Sequence, residues 1–427
     1  MTISRTTPVL SLDEQAMLDG DSGEGVAMAM RLVVNLATAM GAPDLLAISG
    51  AHIDSCLYHG QSGLDFVERL GTGGAQVAVP TTLNVSSLDL LHPELYQGDD
   101  VTAANARLLM DSYVALGCEP TWTCAPYQRQ QRPDLGEHLA WAESNAIVFA
   151  NSVLGARTHR YGDFIDIAAA VTGRVPHAGL HVDAARSATI TIDVRGLSPQ
   201  LLASDAFYPC LGFVLGRLCD DRIPAIVGLP STTSEDQFKA LGAAAASSGN
   251  LAMFHAVGLT PEASTLTAAG GGAEPAETFV VSSQHIMAAR DELSTASTGP
   301  LATVSLGTPH YSVTEIGALH REMGDQAVHP DVALYVSTGR EVLHEAMLRG
   351  WVRPLESSGV TFVTDTCTYI TPIVRDTAGV AMTDSAKWAY YAPGNIGVQT
   401  VFASLKECVQ SAVQGRVVRD EELWRHG

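Results

Sequence analysis

Short apolar runs that each end in a polar cluster alternate with helical patterns along this chain of 427 residues. Residues 45–48 form such a run before the cluster at 49–54, and residues 301–306 form another before the cluster at 307–310. The stretch 24–40 has apolar residues at three- and four-residue steps, which predicts a helix. This alternation predicts an α/β fold built on largely parallel sheets.

The same alternation predicts where a functional site lies. Further strands are predicted at 76–79, 119–123 and 360–363. Polar clusters follow these strands at 80–84, 124–127 and 364–367. Because ligands of parallel α/β sheets gather outside the carboxyl ends of the strands, we expect these clusters to meet in one site. The glycine-rich stretch 268–277 is predicted to join lobes of one catalytic unit.

Charge and composition exclude several classes of partner. Asp and Glu number 46 against 25 Lys and Arg, and the formal net charge of −21 repels nucleic acid and anionic membrane surfaces. A content of 46% hydrophobic and 17% charged residues is typical of a folded protein. Residues 1–18 show no secretory signal, and no apolar run approaches the roughly 20 residues that span a bilayer. We therefore expect a cytoplasmic protein.

The seven cysteines are the residues most open to a chemical role. In a reducing compartment, an odd number favours buried thiols, metal ligands or nucleophiles over a disulfide framework. Three of them lie at or just after predicted strand ends: Cys56, Cys124 and Cys367. The others have the surroundings of buried thiols: Cys118, Cys210, Cys219 and Cys408. Three thiolates from separate strand ends can hold an iron–sulfur cluster with one open iron, although three buried thiols would show the same pattern.

A second group of polar residues lies within an otherwise apolar helical pattern at 141–158. Ser144 and Asn145 suit either a polar ligand or the capping of a helix around a break. Arg157 can grip a carboxylate through two parallel hydrogen bonds, or it can form a structural ion pair. On the residues alone, both alternatives stay open for each.

Two further residues are candidates only in company with others. Lys387 can hold an anion, although a single lysine is normally a solvated charge. His52, near Asp54, is either an acid–base group or a structural histidine. The sequence lacks the signatures of phosphate-binding loops, H-E-x-x-H metalloproteases and G-x-S-x-G hydrolases. It therefore gives no sign of nucleotide-dependent or hydrolytic chemistry.

Long motifs in a fixed order make the chain resemble the catalytic region of aconitase X from about residue 8 to residue 412. The first motifs are Ala-His-Ile-Asp at 51–54, Pro-Thr-Thr-Leu-Asn at 80–84, Cys-Ala-Pro-Tyr at 124–127, Ala-Trp-Ala-Glu-Ser-Asn at 140–145 and Gly-Ala-Arg-Thr at 155–158. The later motifs are Phe-His-Ala-Val-Gly-Leu-Thr-Pro-Glu-Ala at 254–263, Gly-Thr-Pro-His at 307–310, Asp-Thr-Cys at 365–367 and Lys387. The resemblance implies an aconitase-like fold, with several α/β lobes around a central iron–sulfur site.

The family has two branches, the cis-3-hydroxy-L-proline dehydratases and the mevalonate 5-phosphate dehydratases. In the second branch a cysteine stands where this chain has Thr308, and it completes the cluster ligands. Thr308 offers no thiolate, so the resemblance implies Cys56, Cys124 and Cys367 as ligands. The cluster type stays open among 2Fe-2S, 3Fe-4S and 4Fe-4S.

The resemblance favours the first branch, a hydro-lyase that converts cis-3-hydroxy-L-proline to 1-pyrroline-2-carboxylate. His52 and Lys387 are expected to act in catalysis, with His52 orienting the leaving hydroxyl. The substrate-binding residues that the resemblance implies are Ala51, His52, Thr82, Asn84, Ser144, Asn145, Arg157 and Lys387. Either Arg157 or Lys387 is expected to clamp the substrate carboxylate. The alternatives are the large subunit of a mevalonate 5-phosphate dehydratase and a non-catalytic iron–sulfur scaffold.

Members of the family carry a small swivelling domain, either at the C-terminal end of a longer chain or as a separate subunit. The catalytic large-subunit region is expected over 8–412, with 413–427 as a short tail. We therefore expect the chain to lack the swivel domain and to form a heterodimer with a small subunit. In this superfamily the swivel domain supplies a serine that acts as the base, so the base is expected on the partner.

Overall fold

The computed structural model of the protein describes residues 7–420 and Trp424. Strands and helices alternate along it and build three lobes, each around its own parallel sheet and its own hydrophobic core. We call residues 8–184 the first lobe, 188–291 the second lobe and 301–420 the third lobe. The predicted α/β fold with largely parallel sheets is confirmed.

The first lobe begins with two helices and contains two small sheets. Its strands are β1 (Leu45–Ala47), β2 (Gly50–Ile53), β3 (Thr81–Leu83), β4 (Leu139–Trp141) and β5 (Arg174–Pro176). Its helices are α1 (Leu12–Asp19), α2 (Glu24–Met40), α3 (Gln61–Thr72), α4 (Asp100–Ala115), α5 (Ser144–Phe149) and α6 (Ile165–Thr172). Strands β3, β2 and β4 form a parallel sheet in that order, whereas β1 pairs with β5 in antiparallel fashion.

The second lobe is a four-stranded parallel sheet with helices packed against it. Its strands are β6 (Ile190–Asp193), β7 (Pro224–Val227), β8 (His255–Ala256) and β9 (Glu277–Val280). Its helices are α7 (Pro199–Leu202), α8 (Phe207–Cys219), α9 (Glu235–Ser248), α10 (Leu266–Ala269) and α11 (Ser283–Glu292). The strand order is β8, β7, β6 and β9. Cys210 and Cys219 are buried in α8, as predicted.

The third lobe is a five-stranded parallel sheet in the order β12, β11, β10, β13 and β14. These strands are β10 (Leu301–Tyr311), β11 (Ala333–Thr338), β12 (Val360–Val363), β13 (Val380–Thr383) and β14 (Gln399–Phe402). The helices are α12 (Val313–Met323), α13 (Arg340–Leu348), α14 (Val352–Ser357), α15 (Ala386–Ile396) and α16 (Leu405–Gln414). Over the part of the chain that the structure describes, no helix combines the length and apolar character needed to cross a membrane.

Two of the predicted strands of the first lobe are wrong. Residues 76–79 are not a strand, because Val77 and Ala78 donate their backbone N–H groups to the carbonyls of Leu116 and Ala170, at or within helices. The strand β3 lies five residues further on. Residues 119–123 contribute only a single bridge to the sheet, and its third strand is β4.

The stretch 268–277 does not join lobes, contrary to prediction. It is a turn between α10 and β9, and β9 pairs in parallel with β6 inside the second lobe. The turn is closed by backbone hydrogen bonds from Gly271 and Gly272 to Ala268 and Thr267. The junctions between lobes fall instead in the segments before β6 and before β10. The predicted tail is also displaced, since 413 and 414 belong to α16, and its residues 421–423 and 425–427 lie outside the described part of the chain.

Candidate active site

A cavity of about 630 Å³ lies between the first and third lobes. Three polar side chains of its wall come just after parallel strands of the first lobe. Asp54 directly follows β2, Asn84 directly follows β3, and Glu143 lies two residues after β4. The third lobe contributes Thr308, Cys367, Lys387 and several aromatic side chains. Strand ends therefore meet at one site, as the positions of the polar clusters predicted.

The pairing of the first sheet explains why three side chains of different strands meet. His52 lies opposite Thr82 on one side and Trp141 on the other. Because successive side chains point to opposite faces of a strand, the residues two positions further on emerge on the same side. There the Asn84 amide donates to Asp54 Oδ1 and, over 3.1 Å, to Glu143 Oε2.

Lys387 is the only lysine or arginine among the described residues that line the cavity. Its Nζ donates to Glu143 Oε1 over 2.7 Å and to Ser144 Oγ over 3.3 Å. Burial by itself lowers the pKa of Lys387, but the Glu143 carboxylate outweighs burial and holds that pKa well above its usual value. In the same way, burial raises the pKa of Glu143, but Lys387 lowers it to about 2. The two side chains form a charged pair.

Asp54 lies beside this pair and, unlike the Glu143 carboxylate, keeps its proton at neutral pH. Burial, and then the negative charge of Glu143, raise the pKa of Asp54 to about 8. Its backbone is held by Asp166, whose Oδ2 accepts the N–H groups of Asp54 and Ser55 over 2.8 and 3.0 Å. The cavity thus contains an ionised carboxylate and a neutral carboxylic acid side by side, an arrangement that suits acid–base chemistry.

Two buried thiols form another wall of the cavity. The Cys124 and Cys367 thiols and a ring nitrogen of His310 all lie within 4.8 Å of one another. Both ring nitrogens of His310 already have partners, Thr123 Oγ1 at 3.1 Å and the Thr366 carbonyl at 3.2 Å. The adjacent Cys124 thiol and burial raise the pKa of Cys367 well above its usual value.

The loop of Cys367 is held rigidly by carboxylates. Asp365, in the left-handed backbone region with φ of 62°, accepts two hydrogen bonds of 2.6 Å from Arg340. Asp89 of the first lobe accepts the backbone N–H of Thr364 over 2.8 Å and the Thr364 hydroxyl over 2.9 Å. Bonds from both lobes therefore hold the backbone that leads into Cys367.

The donor set fits an iron–sulfur group. Thiolates are the usual protein ligands of such clusters, and Cys124 and Cys367 present two side by side at a cavity wall. Beside them, the Thr308 hydroxyl is buried and has no hydrogen-bond partner among the described residues. A buried Cys/His/Cys group of this kind is compatible with an iron–sulfur cofactor.

Sequence comparison agrees with this architecture. Families described as the first, second and third domains of aconitase X match residues 8–184, 188–291 and 301–414 in turn. The chain belongs to the aconitase X family. The matched segments correspond to the first lobe, the second lobe and residues 301–414 of the third lobe.

Several named relatives of this aconitase X chain are dehydratases. A cis-3-hydroxy-L-proline dehydratase of Pseudomonas aeruginosa is 44% identical over 98% of this chain and 72% of its own length. One of Hypocrea jecorina is 39% identical over 95% of this chain and 69% of its own length. A phosphomevalonate dehydratase large subunit of Methanothermobacter thermautotrophicus is 35% identical over 92% of this chain and 96% of its own length.

A solved structure shares the fold. The crystal structure of Thermococcus kodakaraensis aconitase X in its holo-form superposes with a TM-score of 0.84 at 28% identity. The superposition covers 95% of this aconitase X chain and all of that one.

Not all of the predicted substrate-binding residues line the cavity. Asn84, Ser144 and Lys387 line it. His52 lies behind it, fully buried, with Nδ1 2.8 Å from Thr82 Oγ1. Burial lowers the pKa of His52 to about 3, so the ring is neutral. His52 is thus held by Thr82 below the cavity wall, and its Nε2 is buried without a hydrogen-bond partner among the described residues, so its expected role in catalysis stays a prediction.

Two other residues that were expected to bind substrate, Ala51 and Asn145, make structural contacts within the protein. Ala51 points into the hydrophobic core of the first lobe. The Asn145 amide accepts the Tyr127 hydroxyl over 2.6 Å and donates to the Cys124 carbonyl over 3.0 Å and to Glu143 Oε1 over 2.6 Å. Asn145 thus fixes Cys124 relative to Glu143, and both N–H donors of its amide are used within the protein.

Arg157 and Cys56 are not brought to the cavity. The Arg157 guanidinium donates to the His181 carbonyl over 3.0 Å and pairs with Asp183. Of the two alternatives for Arg157, the structure therefore shows the structural ion pair. The Cys56 thiol points to the carbonyls of Ile53 and Asn84, each at 3.4 Å, and lies outside the Cys124 and Cys367 group. The helical segment before Arg157 ends at Leu154, and Gly155 is its left-handed C-cap.

The sequence reading missed two of the most prominent groups. Glu143 stands within the family motif at 140–145 and was not predicted to act, whereas Asp54, within the motif at 51–54, was considered with His52 as an acid–base group but was not among the expected site residues. The signal that could have found Glu143 is the scarcity of lysine. A buried lysine at a strand-end site needs a carboxylate partner, and Glu143 is the acidic residue of the nearest motif.

The pKa of His181, which lies beside Arg157, allows a test of how burial in the first lobe affects stability. Burial, followed by neighbouring positive charge, lowers its pKa to about 3, and its Nε2 lies 2.6 Å from the Tyr161 hydroxyl. A depressed pKa contributes stability that is present above the unfolded value of about 6.5 and is lost as pH falls towards 3. Between about pH 7.5 and pH 5.5, this loss is about 1.4 kcal/mol of unfolding free energy.

Urea denaturation of wild type and His181→Gln at both pH values checks this. The stability advantage of wild type over the variant is expected to shrink by about 1.4 kcal/mol at the lower pH. An advantage that is equal at the two pH values would contradict the assignment of a neutral, buried His181.

Proposed function

We propose that the chain dehydrates cis-3-hydroxy-L-proline to 1-pyrroline-2-carboxylate, using an iron–sulfur cluster and acting with a separate small subunit. The observation that carries the proposal is that one cavity is lined together by Lys387, Asn84, Asp54 and two buried thiols. The identity of 44% to a cis-3-hydroxy-L-proline dehydratase supports the substrate. The large-subunit names of other relatives support the small partner. The free cysteines support a reducing, cytoplasmic location.

Cys124 and Cys367 would hold the cluster. When bound, it supplies an open iron that acts as a Lewis acid on the leaving hydroxyl. Cys56 remains a proposed third ligand only if its loop moves, because its thiol now faces backbone carbonyls. The side chains that line the cavity perform the other steps.

Lys387 is proposed to bind the substrate carboxylate. An ammonium group has three N–H donors, and Glu143 and Ser144 take two of them. The third is available to an anion in the cavity. Positive charge beside the carboxylate lowers the cost of removing the neighbouring C2 proton, because negative charge develops there.

Asn84 is proposed to orient the ring nitrogen of the substrate. Its amide nitrogen serves Asp54 and Glu143, whereas its Oδ1 is buried and without a partner among the described residues. A buried acceptor without a donor is costly, and a protonated ring nitrogen would satisfy it. Recognition of an amine next to a carboxylate is what an amino acid requires.

Asp54 is proposed to give a proton to the leaving hydroxyl, which then departs as water. A carboxylic acid that keeps its proton at neutral pH suits this role. The C2 proton must be taken up by a base, which we propose to be the serine of the small subunit. Loss of the C2 proton and the C3 hydroxyl gives an enamine, which tautomerises to 1-pyrroline-2-carboxylate.

The cavity favours a monocarboxylate over a phosphorylated substrate. A phosphate dianion is usually met by several cationic donors. Among the described residues that line the cavity, Lys387 is the only lysine or arginine, and Glu143 already neutralises it. Mevalonate 5-phosphate would therefore find too little positive charge.

The test is an anaerobic assay of the chain together with its small subunit on both substrates. We expect turnover of cis-3-hydroxy-L-proline and, with mevalonate 5-phosphate, a kcat/KM at least about 1000-fold lower, because an unpaired phosphate charge costs several kcal/mol. Turnover of mevalonate 5-phosphate alone would overturn the substrate assignment. Inertness toward both, with an intact cluster and partner, would favour the non-catalytic scaffold.

A further inference from the structure

Two smaller cavities adjoin the catalytic cavity and share lining residues with it or with each other. The inner one, of about 40 Å³, shares Thr308 and Lys387 with the catalytic cavity. The outer one, of about 250 Å³, shares Tyr311, Glu315 and Asp384 with the inner one. Exposed residues of α12 complete its wall, so the outer cavity opens to solvent. Thr308 and Lys387 therefore lie between the catalytic cavity and the two cavities that lead to a second opening to solvent.

The inner cavity has the size and polarity that ordered water requires. One buried water needs roughly 10–15 Å³ of accessible volume and two to four polar partners. The Tyr311 hydroxyl oxygen and the Asp384 carboxylate, to which that hydroxyl donates, provide polar partners on its walls.

Polar groups continue from the inner cavity to the surface. Lys239 is buried, and its Nζ lies 3.1 Å from Asp236 Oδ1 and next to Glu315. The carboxylate side chains of Asp236 and Glu315 are 26% and 24% exposed, so they reach the solvent side of the outer cavity. A line of hydrogen-bonding groups therefore runs from Thr308 to the surface, and the proposed mechanism uses none of them beyond Lys387.

We propose that these two cavities form a water passage, through which the water made in each turnover leaves while the small subunit covers the front of the catalytic cavity. The proposal rests on the proposed function. Dehydration breaks the C2–H and C3–O bonds and forms a C2=C3 double bond. The departing hydroxide takes one proton, so each turnover releases one water.

The front opening explains why a rear passage is useful. Exposed residues such as His59 and Asn395 line the front of the cavity, where the substrate enters. A subunit that brings a base to the substrate must approach from this accessible side. With that side closed, trapped water next to a reactive enamine favours the reverse reaction, and an exit behind Thr308 removes it.

The test fills the passage without touching the catalytic groups. Ala240 lines both rear cavities and is absent from the wall of the catalytic cavity. In the complete heterodimer, Ala240→Leu is expected to lower kcat about tenfold, because release becomes limiting. Rapid-quench measurement is expected to show a burst of one product per active site at the wild-type rate. Ala240→Ser is the matched control and is expected to keep the wild-type kcat without a burst.

A second readout does not depend on turnover. A crystal structure of the wild-type chain is expected to show ordered water in the inner cavity, and a dry inner cavity would overturn the proposal. So would an Ala240→Leu enzyme with the leucine in the cavity and full kcat, or a slow one without a burst. If Ala240→Leu does not fold, Ala240→Val serves with the same criteria. Inactivity of the wild-type heterodimer would instead overturn the proposed function, and it is recognised without any variant.

Discussion

Replacing Lys387 with Met is expected to lower the kcat/KM of the reconstituted enzyme by about 10²–10³-fold, as the loss of one preorganised electrostatic contact does. The same change leaves the Glu143 carboxylate buried and unpaired, since its charged partner lay 2.7 Å away. Breaking a buried ion pair in this way costs about 3–5 kcal/mol of unfolding free energy. Steady-state kinetics and urea denaturation measure the two effects.

A double variant separates the two effects. Adding Glu143→Gln to Lys387→Met removes the unpaired charge, so most of the lost stability is expected to return. Activity is not expected to return, because the substrate carboxylate still lacks its cation. Unchanged turnover in the single variant would remove Lys387 from the active site. Failure of the double variant to regain stability would show that the ion pair is not what stabilises this region.

Replacing Cys124 or Cys367 with Ser is expected to abolish cofactor binding. Hydroxyl groups are poor ligands of iron–sulfur clusters, and loss of a direct ligand weakens binding by more than the roughly 10–100-fold seen for outer-shell partners. Protein purified without oxygen is expected to lose its visible absorption together with bound iron and sulfide. Dehydratase activity is expected to fall with the iron content.

Two other cysteines provide controls in the same chain. Cys118→Ser is expected to keep the iron content, since this buried thiol lies outside the Cys124 and Cys367 group. Cys56→Ser is the decisive comparison, and from the present position of its thiol we expect iron to be retained. Loss of iron in Cys56→Ser would return this cysteine to the ligand set. Colourless, iron-free wild-type protein with full activity would contradict the whole assignment.

The sequence was sufficient for features with a local cause. The helix Glu24–Met40 ends at Gly41 as predicted. Its apolar periodicity and its left-handed glycine cap both depend only on residues within or next to the helix. Family motifs led to Cys124, Cys367, Asn84 and Lys387, which do line one cavity. The strand at Val360–Val363 was predicted with its bounds.

Features that depend on distant partners were not predictable in the same way. Residues 76–79 have a strand-like composition, but helix-end carbonyls take their N–H groups. Arg157 looked like a carboxylate clamp until the fold brought Asp183 to it. Asn145 was expected to bind substrate, yet its side-chain amide bonds to Tyr127, Cys124 and Glu143, which lie up to 21 positions from it along the chain. No pattern within one segment specifies such a network.

The cavity divides its chemistry between the two ends of the chain. Glu143 and Cys124 come from the first lobe, whereas Lys387 and Cys367 come from the third, and no described residue of the second lobe lines it. A nascent chain therefore has no complete site until residue 387 has left the ribosome and the third lobe has docked. A C-terminal truncation before α15 removes Lys387 from the cavity, and it also removes Ala386, Ala389 and Phe402, which pack into the hydrophobic core of the second lobe.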